Sequence, residues 1–193
     1  MNVARILYPV QVLGPGNRIG IWVCGCARGC KGCSNPELWT AHPEYEISPD
    51  DVFSLIQKVS ASHPVDGFTI TGGEPMDQSK EIAKLIKLIF PVSEDILIYT
   101  GYRLEELKAR NDSCTNFILE HTAVLIDGAY IEELNDNSPL RGSSNQKVHI
   151  LNDRFNDRYQ KFFDESHNHI QNFTTADGLV SVGIHRPTFY GGK

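Results

Sequence analysis

The sequence predicts an α/β fold built on parallel strands, and three observations predict it. Short apolar runs rich in β-branched residues alternate with stretches of helical periodicity along most of the 193 residues. That alternation argues for parallel strands joined by helices. Successive runs end in polar turns that contain glycine: Cys24-Gly25, Gly72-Gly73-Glu74-Pro75, Thr100-Gly101 and Asp127-Gly128. In a parallel barrel or half-barrel such turns converge on one face. Finally, four of the five cysteines lie within residues 24–33, directly after one of these strands. The chain's reactive side chains therefore collect where α/β folds place their chemistry.

The elements follow in order. Residues 3–13 are β-rich, with Ile6, Tyr8, Val10 and Val12, and Gly14-Pro15-Gly16-Asn17 is a turn. Residues 18–23 read as a buried strand running into the cysteine loop. Pro36 suits the first position of a short helical turn after Cys33. Ser48 is a helix cap, followed by Pro49 and two aspartates that favour the positive end of the dipole. This helix runs to about Ser60, with Val52, Phe53, Leu55, Ile56 and Val59 as its apolar face. Residues 67–71 form a strand. Asp77 is expected to cap a helix carrying Ile82, Leu85, Ile86 and Ile89, ended by Pro91. Residues 96–99 are the next strand, 104–108 a short helix and 124–126 a further strand. Residues 153–163 are expected to be a helix with an aromatic face, and 169–173 with 179–184 a hairpin around Asp177-Gly178.

The length suits one domain with a small extension and allows a proper core. With 40% hydrophobic and 22% charged residues the composition is that of a globular protein. The net charge of −6 gives no basic footprint for nucleic acid. No apolar run approaches the roughly 20 residues of a membrane helix. Met1-Asn2-Val3-Ala4-Arg5 lacks a signal-peptide pattern, so a cytoplasmic, reducing location is expected. There is no internal repeat and no low-complexity segment.

Cys26, Cys30 and Cys33 follow a Cys-x3-Cys-x2-Cys spacing. Thiolates from closely spaced cysteines hold iron–sulfur clusters, and a four-iron cluster needs four ligands. Three on one loop leave one iron open, and an open metal position is what makes a site reactive. Gly25, Gly29 and Gly32 let the backbone fold tightly there. The alternative is structural zinc with Cys24 as fourth ligand, although the second knuckle such sites usually have is missing. Disulfides or free thiols are disfavoured by the expected reducing compartment.

With Cys26-x3-Cys30-x2-Cys33 followed by Thr71-Gly72-Gly73-Glu74-Pro75, the chain resembles the radical S-adenosylmethionine superfamily. Further motifs narrow this: Asn17-Arg18 after Gly-Pro-Gly, Gly32-Cys33-Ser34-Asn35, Tyr99-Thr100-Gly101-Tyr102-Arg103-Leu104, Asp127-Gly128 and Arg141-Gly142-Ser143-Ser144-Asn145-Gln146. Over about residues 1–151 they resemble, in the same order, the activating proteins of anaerobic ribonucleoside-triphosphate reductase. Gly32 stands where many superfamily members carry an aromatic residue, which fits that subgroup. The resemblance implies a partial (βα) barrel of the radical SAM type and one [4Fe-4S] cluster on Cys26, Cys30 and Cys33. It also implies S-adenosyl-L-methionine chelating the open iron through its methionine amine and carboxylate, near Thr71, Gly72, Gly73, Glu74, Pro75, Tyr99, Thr100, Gly101, Asp127 and Asn145. Gly72 and Gly73 would let backbone approach the cosubstrate, and Glu74 would accept from its ammonium. The activity implied is reductive cleavage of S-adenosyl-L-methionine to a 5′-deoxyadenosyl radical that makes a glycyl radical on the reductase. The partners implied are the reductase large subunit as protein substrate and a flavodoxin- or ferredoxin-type electron donor.

Residues 152–193 lie past the matched motifs and are expected to be an extension packed on a 1–151 core. They leave two other readings open: a radical enzyme activating a different glycyl-radical enzyme or modifying a peptide, and a non-catalytic zinc-binding interaction domain. The second leaves the Gly-Gly-Glu-Pro turn without a purpose. Cys24 reads as a small buried hydrophobe and Cys114 as structural. Gln146 is a weaker candidate beside Asn145, and His167 with His169 a weak metal pair. Arg28 and Lys31 read as solvated, or as facing an acidic donor or partner.

Overall fold

A computed structural model describes residues 1–165, 169–175 and 178–184. Its centre is a six-stranded sheet in chain order, with β1 (Val3–Val10), β2 (Arg18–Val23), β3 (Gly67–Gly72), β4 (Ile96–Tyr99), β5 (Val124–Asp127) and β6 (Lys147–Ile150) side by side. β2 to β5 are parallel, paired through Ile21 with Ile70, Phe68 with Ile96 and Ile98 with Leu125. The outer strands β1 and β6 run antiparallel to their neighbours. The predicted α/β class with parallel strands is therefore observed as a mostly parallel sheet. It is an open row with β1 and β6 at its ends, and no closed barrel forms among the described residues.

Strands added in chain order by crossovers of one hand keep the helices on one face. Accordingly α1 (Pro49–Ser60), α2 (Ser79–Ile89), α3 (Leu104–Arg110) and α4 (Ser113–Glu120) form one layer, with α2 touching α1 and α4. Odd and even residues of a strand face opposite ways. Ile19, Ile21, Val23, Phe68, Ile70, Ile96, Ile98 and Leu125 meet Val52, Ile56, Ile82, Leu85, Ile86, Leu107 and Ile118 in one core. Each such buried side chain contributes about 1.5–3 kcal/mol.

The opposite face is met by two elements that follow β6. Tyr159 of α5 (Asn156–Glu165) is buried with Leu97, Val124 and Ile126. The hairpin of β7 (Gln171–Thr175) and β8 (Gly178–Val182) sets Val182 against Trp22, Val10 and Leu13. Gln171 fastens the hairpin to the end of β1, accepting from Gln11 N at 3.0 Å and donating to Pro9 O at 2.7 Å.

Several expectations shift in detail. The Ser48 cap is observed, accepting from Asp51 N. Asp77 does not cap α2: Glu74 caps a 3-10 turn, Pro75–Gln78, that leads straight into the helix. Asp77 is left to accept from the Tyr102 hydroxyl at 2.6 Å. α4, with Asp112 capping Thr115 N, and β6 are elements the sequence reading lacked. Of the expected hairpin turn, Asp177 lies outside the described residues, as does His167 of the His pair. Among the described residues no helix is long and apolar enough to cross a membrane.

Candidate active site at the carboxyl ends of the parallel strands

The site begins where the β2–β3 ladder overruns its strands. Gly73 N donates to Val23 O at 2.7 Å and Glu74 N to Gly25 O at 2.8 Å. The cysteine loop and the Gly-Gly-Glu loop are thereby stitched together. A Cβ on Gly72, whose φ is +108°, would fall 2.5 Å from Val23 O, and one on Gly73 2.5 Å from Gly25 O. Both glycines are thus required by the approach of the two loops to each other, a closer reason than approach to a ligand. On its other side the cysteine loop is pinned by Gly25 N donating to Leu38 O and Cys26 N to Trp39 O, each at 2.9 Å.

This loop brings Cys26, Cys30 and Cys33 to one cavity. All three are partly exposed, and Asn35 N lies 3.4 Å from the Cys33 sulfur. Burial pushes the Cys26 thiol up, and backbone N–H groups of Arg28 and Gly29 act the other way by favouring the thiolate. Cys24 is 1% exposed and packs with Val10, Trp22 and Leu38, away from the cavity. Cys114 sits in α4. Among the described residues no three His, Cys, Asp or Glu side chains converge on one point. What the cavity offers is three thiols along its lining, with Cys24 and Cys114 not among them. That suits an iron–sulfur cluster with one open position better than structural zinc, which takes four protein ligands.

The facing wall comes from the ends of β3 and β4. Thr71, Gly72, Gly73, Glu74, Tyr99, Thr100 and Gly101 all line the cavity. Glu74 is 1% exposed. Its Oε1 accepts from Met76 N at 3.0 Å and Thr100 Oγ1 at 2.7 Å, and its Oε2 from Gly101 N at 2.7 Å. Burial nevertheless raises its pKa above the ordinary carboxylate value. The Tyr99 hydroxyl is buried without a hydrogen-bond partner, and that burial raises its pKa strongly.

Three of the expected residues do not line the cavity. Pro75 is buried at the start of its 3-10 turn. Asp127 is occupied by the fold, accepting from Leu104 N at 2.7 Å and Lys147 N at 3.3 Å, with His149 Nε2 2.9 Å away. Asn145 turns outward and donates to Ala129 O. The neighbouring Gly128 and Gln146 do line it; Gln146 accepts from Gly142 N and donates to Gly128 O, both at 2.8 Å.

Sequence reasoning missed other lining residues: Leu13 from the loop between β1 and β2, Trp22 from β2, Tyr130, and residues 181–184 at the end of β8 and just after it. No local signal marks them, because they meet the cysteines only through the fold. It also misplaced Arg28, which points into the cavity, while Lys31 is paired with Glu133 at 2.7 Å.

A family model described as a 4Fe-4S single cluster domain matches residues 12–149. Among curated proteins, the anaerobic ribonucleoside-triphosphate reductase-activating protein of Enterobacteria phage T4 is 35% identical over 154 residues, spanning 77% of this chain and 93% of that one. The protein of the same name from Escherichia coli (strain K12) is 32% identical over 75% of this chain and 96% of its own. That from Vibrio cholerae is 31% identical over 74% and 94%. With the three cysteines, the stitched glycine loop and these relatives in agreement, the chain belongs to the 4Fe-4S single-cluster family and, within it, to the anaerobic ribonucleoside-triphosphate reductase-activating proteins.

Proposed function

We propose that the chain is an iron–sulfur activase that generates a glycyl radical on anaerobic ribonucleoside-triphosphate reductase. Cys26, Cys30 and Cys33 hold one [4Fe-4S] cluster, and S-adenosyl-L-methionine binds beside it. The observation that carries this reading is the stitching of a three-cysteine loop to the Gly-Gly-Glu loop around one shared cavity. When bound, the reduced cluster and S-adenosyl-L-methionine supply the 5′-deoxyadenosyl radical that takes a hydrogen atom from a glycine of the reductase.

The chain's own residues bind, orient and exclude water. Glu74 keeps a free lone pair for an ammonium, since a carboxylate has about four acceptor sites and three are taken. Thr100 and Gly101 fix that carboxylate, and the Tyr99 hydroxyl is a donor available to the cavity. Trp22, Leu13 and the hairpin residues 181–184 form a drier wall. No general acid or base is required of the protein.

Four parallel strands in chain order, with their helices on one face, suit a partial (βα) barrel of the radical SAM type. Residues 1–151 are its core and 152–193 an extension whose described residues pack on it, in keeping with the family match ending at residue 149. The reductase large subunit is the protein substrate, and a flavodoxin- or ferredoxin-type protein supplies the electron.

The test is anaerobic reconstitution with iron and sulfide, then reduction with S-adenosyl-L-methionine while following 5′-deoxyadenosine. Formation is expected, and Cys30→Ala abolishes it together with the cluster's absorbance. Adding the reductase then yields a glycyl radical signal. Stoichiometric zinc with neither cluster nor deoxyadenosine would overturn the activase in favour of an interaction domain.

A further inference from the structure

We infer that the hairpin of β7 and β8 makes this chain selective for its protein substrate: Ser181, Val182, Gly183 and Ile184 form the wall against which the glycine-bearing segment of the reductase seats. The inference rests on the activase reading and adds to it what chooses the partner. Reacting atoms must approach to about 3–3.5 Å, so that segment has to enter the cavity that holds the three cysteines. Whatever narrows the entry then screens the segment.

The wall is an addition to the shared core. The family match ends at residue 149, and the relatives match about three quarters of this chain with nearly all of their own length. Among the described residues the cavity lining runs from Leu13 to Gln146 and resumes at Ser181–Ile184. The hairpin thus lies beyond the family match and reaches back to the site.

The hairpin is built to hold that position. Its register pairs Gln171 with Val182 and Phe173 with Val180, which puts these four on one face. Val182, 3% exposed, shares a cluster with Val10, Trp22 and Leu38, and Phe173, Val180 and Ile184 pack against the same cluster. The Gln171 side chain ties β7 to the end of β1 through Gln11 N and Pro9 O. Gly183, at φ +137°, lets the chain leave β8 close under its partner strand: a Cβ there would fall 2.5 Å from His169 O. Past it, Ile184 lines the cavity.

Two features say what the wall receives. Its four residues carry no charge, whereas the cation and carboxylate of the lining, Arg28 and Glu74, belong to the cysteine loop and the Gly-Gly-Glu loop. Trp39, the neighbour of Leu38 in the chain, lines the cavity while 37% exposed, so apolar surface is left at the rim. An uncharged backbone segment around a glycine, with apolar flanks, fits this side of the cavity. A charged loop does not.

The test measures the glycyl radical formed by reconstituted protein against the concentration of two reductases, the chain's own and that of Escherichia coli (strain K12). Wild type, Ile184→Ala, Gln171→Ala and Leu179→Ser are compared with the cluster's absorbance intact, and 5′-deoxyadenosine is also followed without reductase. Leu179 lies on the same hairpin, is 71% exposed and does not line the cavity. Wild type should prefer its own reductase. Ile184→Ala should cut that preference, read as the ratio of half-saturating concentrations, by about fourfold to fifteenfold, the worth of one or two buried methylene groups. Gln171→Ala, which unties the hairpin, should move the ratio the same way, and Leu179→Ser should leave it unchanged. Deoxyadenosine formed without reductase should match wild type in all three. Equal response of wild type to both reductases, or an unchanged ratio in Ile184→Ala, would overturn the inference and leave the hairpin as a cover for Trp22. A fall in reductase-free deoxyadenosine as large as the fall in radical would overturn it too, since Ile184 would then serve the cosubstrate. So would an equal shift in Leu179→Ser. If wild type forms deoxyadenosine but no glycyl radical on its own reductase, the activase reading itself falls and the inference with it.

Discussion

Glu74 and Asp95 are both 1% exposed, and they sit at opposite ends of the same parallel strands. Asp95 lies just before β4, at the amino ends. Glu74 lies just after β3, at the carboxyl ends. Asp95 is neutralised by the fold. Its Oδ1 accepts from Arg18 at 3.1 Å and from the Tyr159 hydroxyl at 2.6 Å, and Arg158 Nη1 lies 3.4 Å from Oδ2. Arg18, fully buried, also donates to Thr69 Oγ1, Phe68 O, Pro15 O and Asp95 O. Burial works against that guanidinium's charge, but Tyr159 and Asp95 outweigh it and its pKa is raised. Glu74 instead meets neutral donors, and its nearest cation stops at 3.7 Å. Burial alone therefore does not distinguish a structural carboxylate from a binding one. The distinction lies in whether the fold hydrogen-bonds a cation to the carboxylate, as Arg18 does for Asp95, or keeps the cation at longer range, as Arg28 stands to Glu74.

The contrast is most easily broken at the amino ends. Asp95→Ala leaves Arg18 buried without its carboxylate, so unfolding of the cluster-free protein in denaturant should show a loss of about 3–5 kcal/mol. A loss below about 1 kcal/mol would mean that backbone carbonyls alone satisfy Arg18. Tyr159→Phe removes one hydrogen bond to a charged group and should cost about 1.5–3 kcal/mol. The double variant should be hardly worse than Asp95→Ala, because both changes act on one contact. Additive losses would instead assign the effect to packing of α5 against Leu97, Val124 and Ile126. Neither change should lower iron bound per folded chain.

The two ends were unequally legible in the sequence. The carboxyl ends announced themselves through local signals: cysteine spacing, paired glycines and a polar turn after each apolar run. Those signals placed Cys26, Cys30, Cys33 and residues 71–74 and 99–101 around one cavity. They did not show that Asp127 and Asn145 are engaged outside the cavity lining, because hydrogen bonds to Leu104 N and Ala129 O are not written in the sequence. The amino-end network was not legible as a network. Arg18 stood in a motif and Tyr159 on an expected aromatic helix face, but their contacts with Asp95 span 77 and 64 residues, and no local pattern joins the three. β6 was missed for a like reason. Its Lys147-Val148-His149-Ile150 is too short and polar to read as a strand until β5 is there to pair with. α4 was the avoidable miss, since Asp112 followed by Phe117 and Ile118 is a capped apolar turn.

The smallest effect is the one that sharpens the comparison most. Glu74→Gln keeps the size of the side chain and an acceptor for Met76 N and Thr100 Oγ1, but removes the charge. Burial raises the folded pKa of Glu74 above its ordinary value of 4.5, with the hydrogen bonds from Met76, Thr100 and Gly101 only opposing it. A carboxyl raised in this way binds its proton more tightly folded than unfolded. The stability it contributes is complete below the unfolded value and is lost as pH rises through the folded value. Glutamine has no such titration. The stability of Glu74→Gln relative to wild type should therefore improve as pH rises from 4 to 7, and at pH 7 the two should differ by only about 1 kcal/mol. Denaturant midpoints of the cluster-free proteins across that range read this directly. Affinity of the reconstituted variant for S-adenosyl-L-methionine should still fall at least about tenfold, because an amide offers no counter-charge to an ammonium. If Glu74→Gln instead lost several kcal/mol at every pH, as expected for Asp95→Ala, the carboxyl-end carboxylate would be as structural as its counterpart. The loosely paired charge would then carry no argument for a ligand.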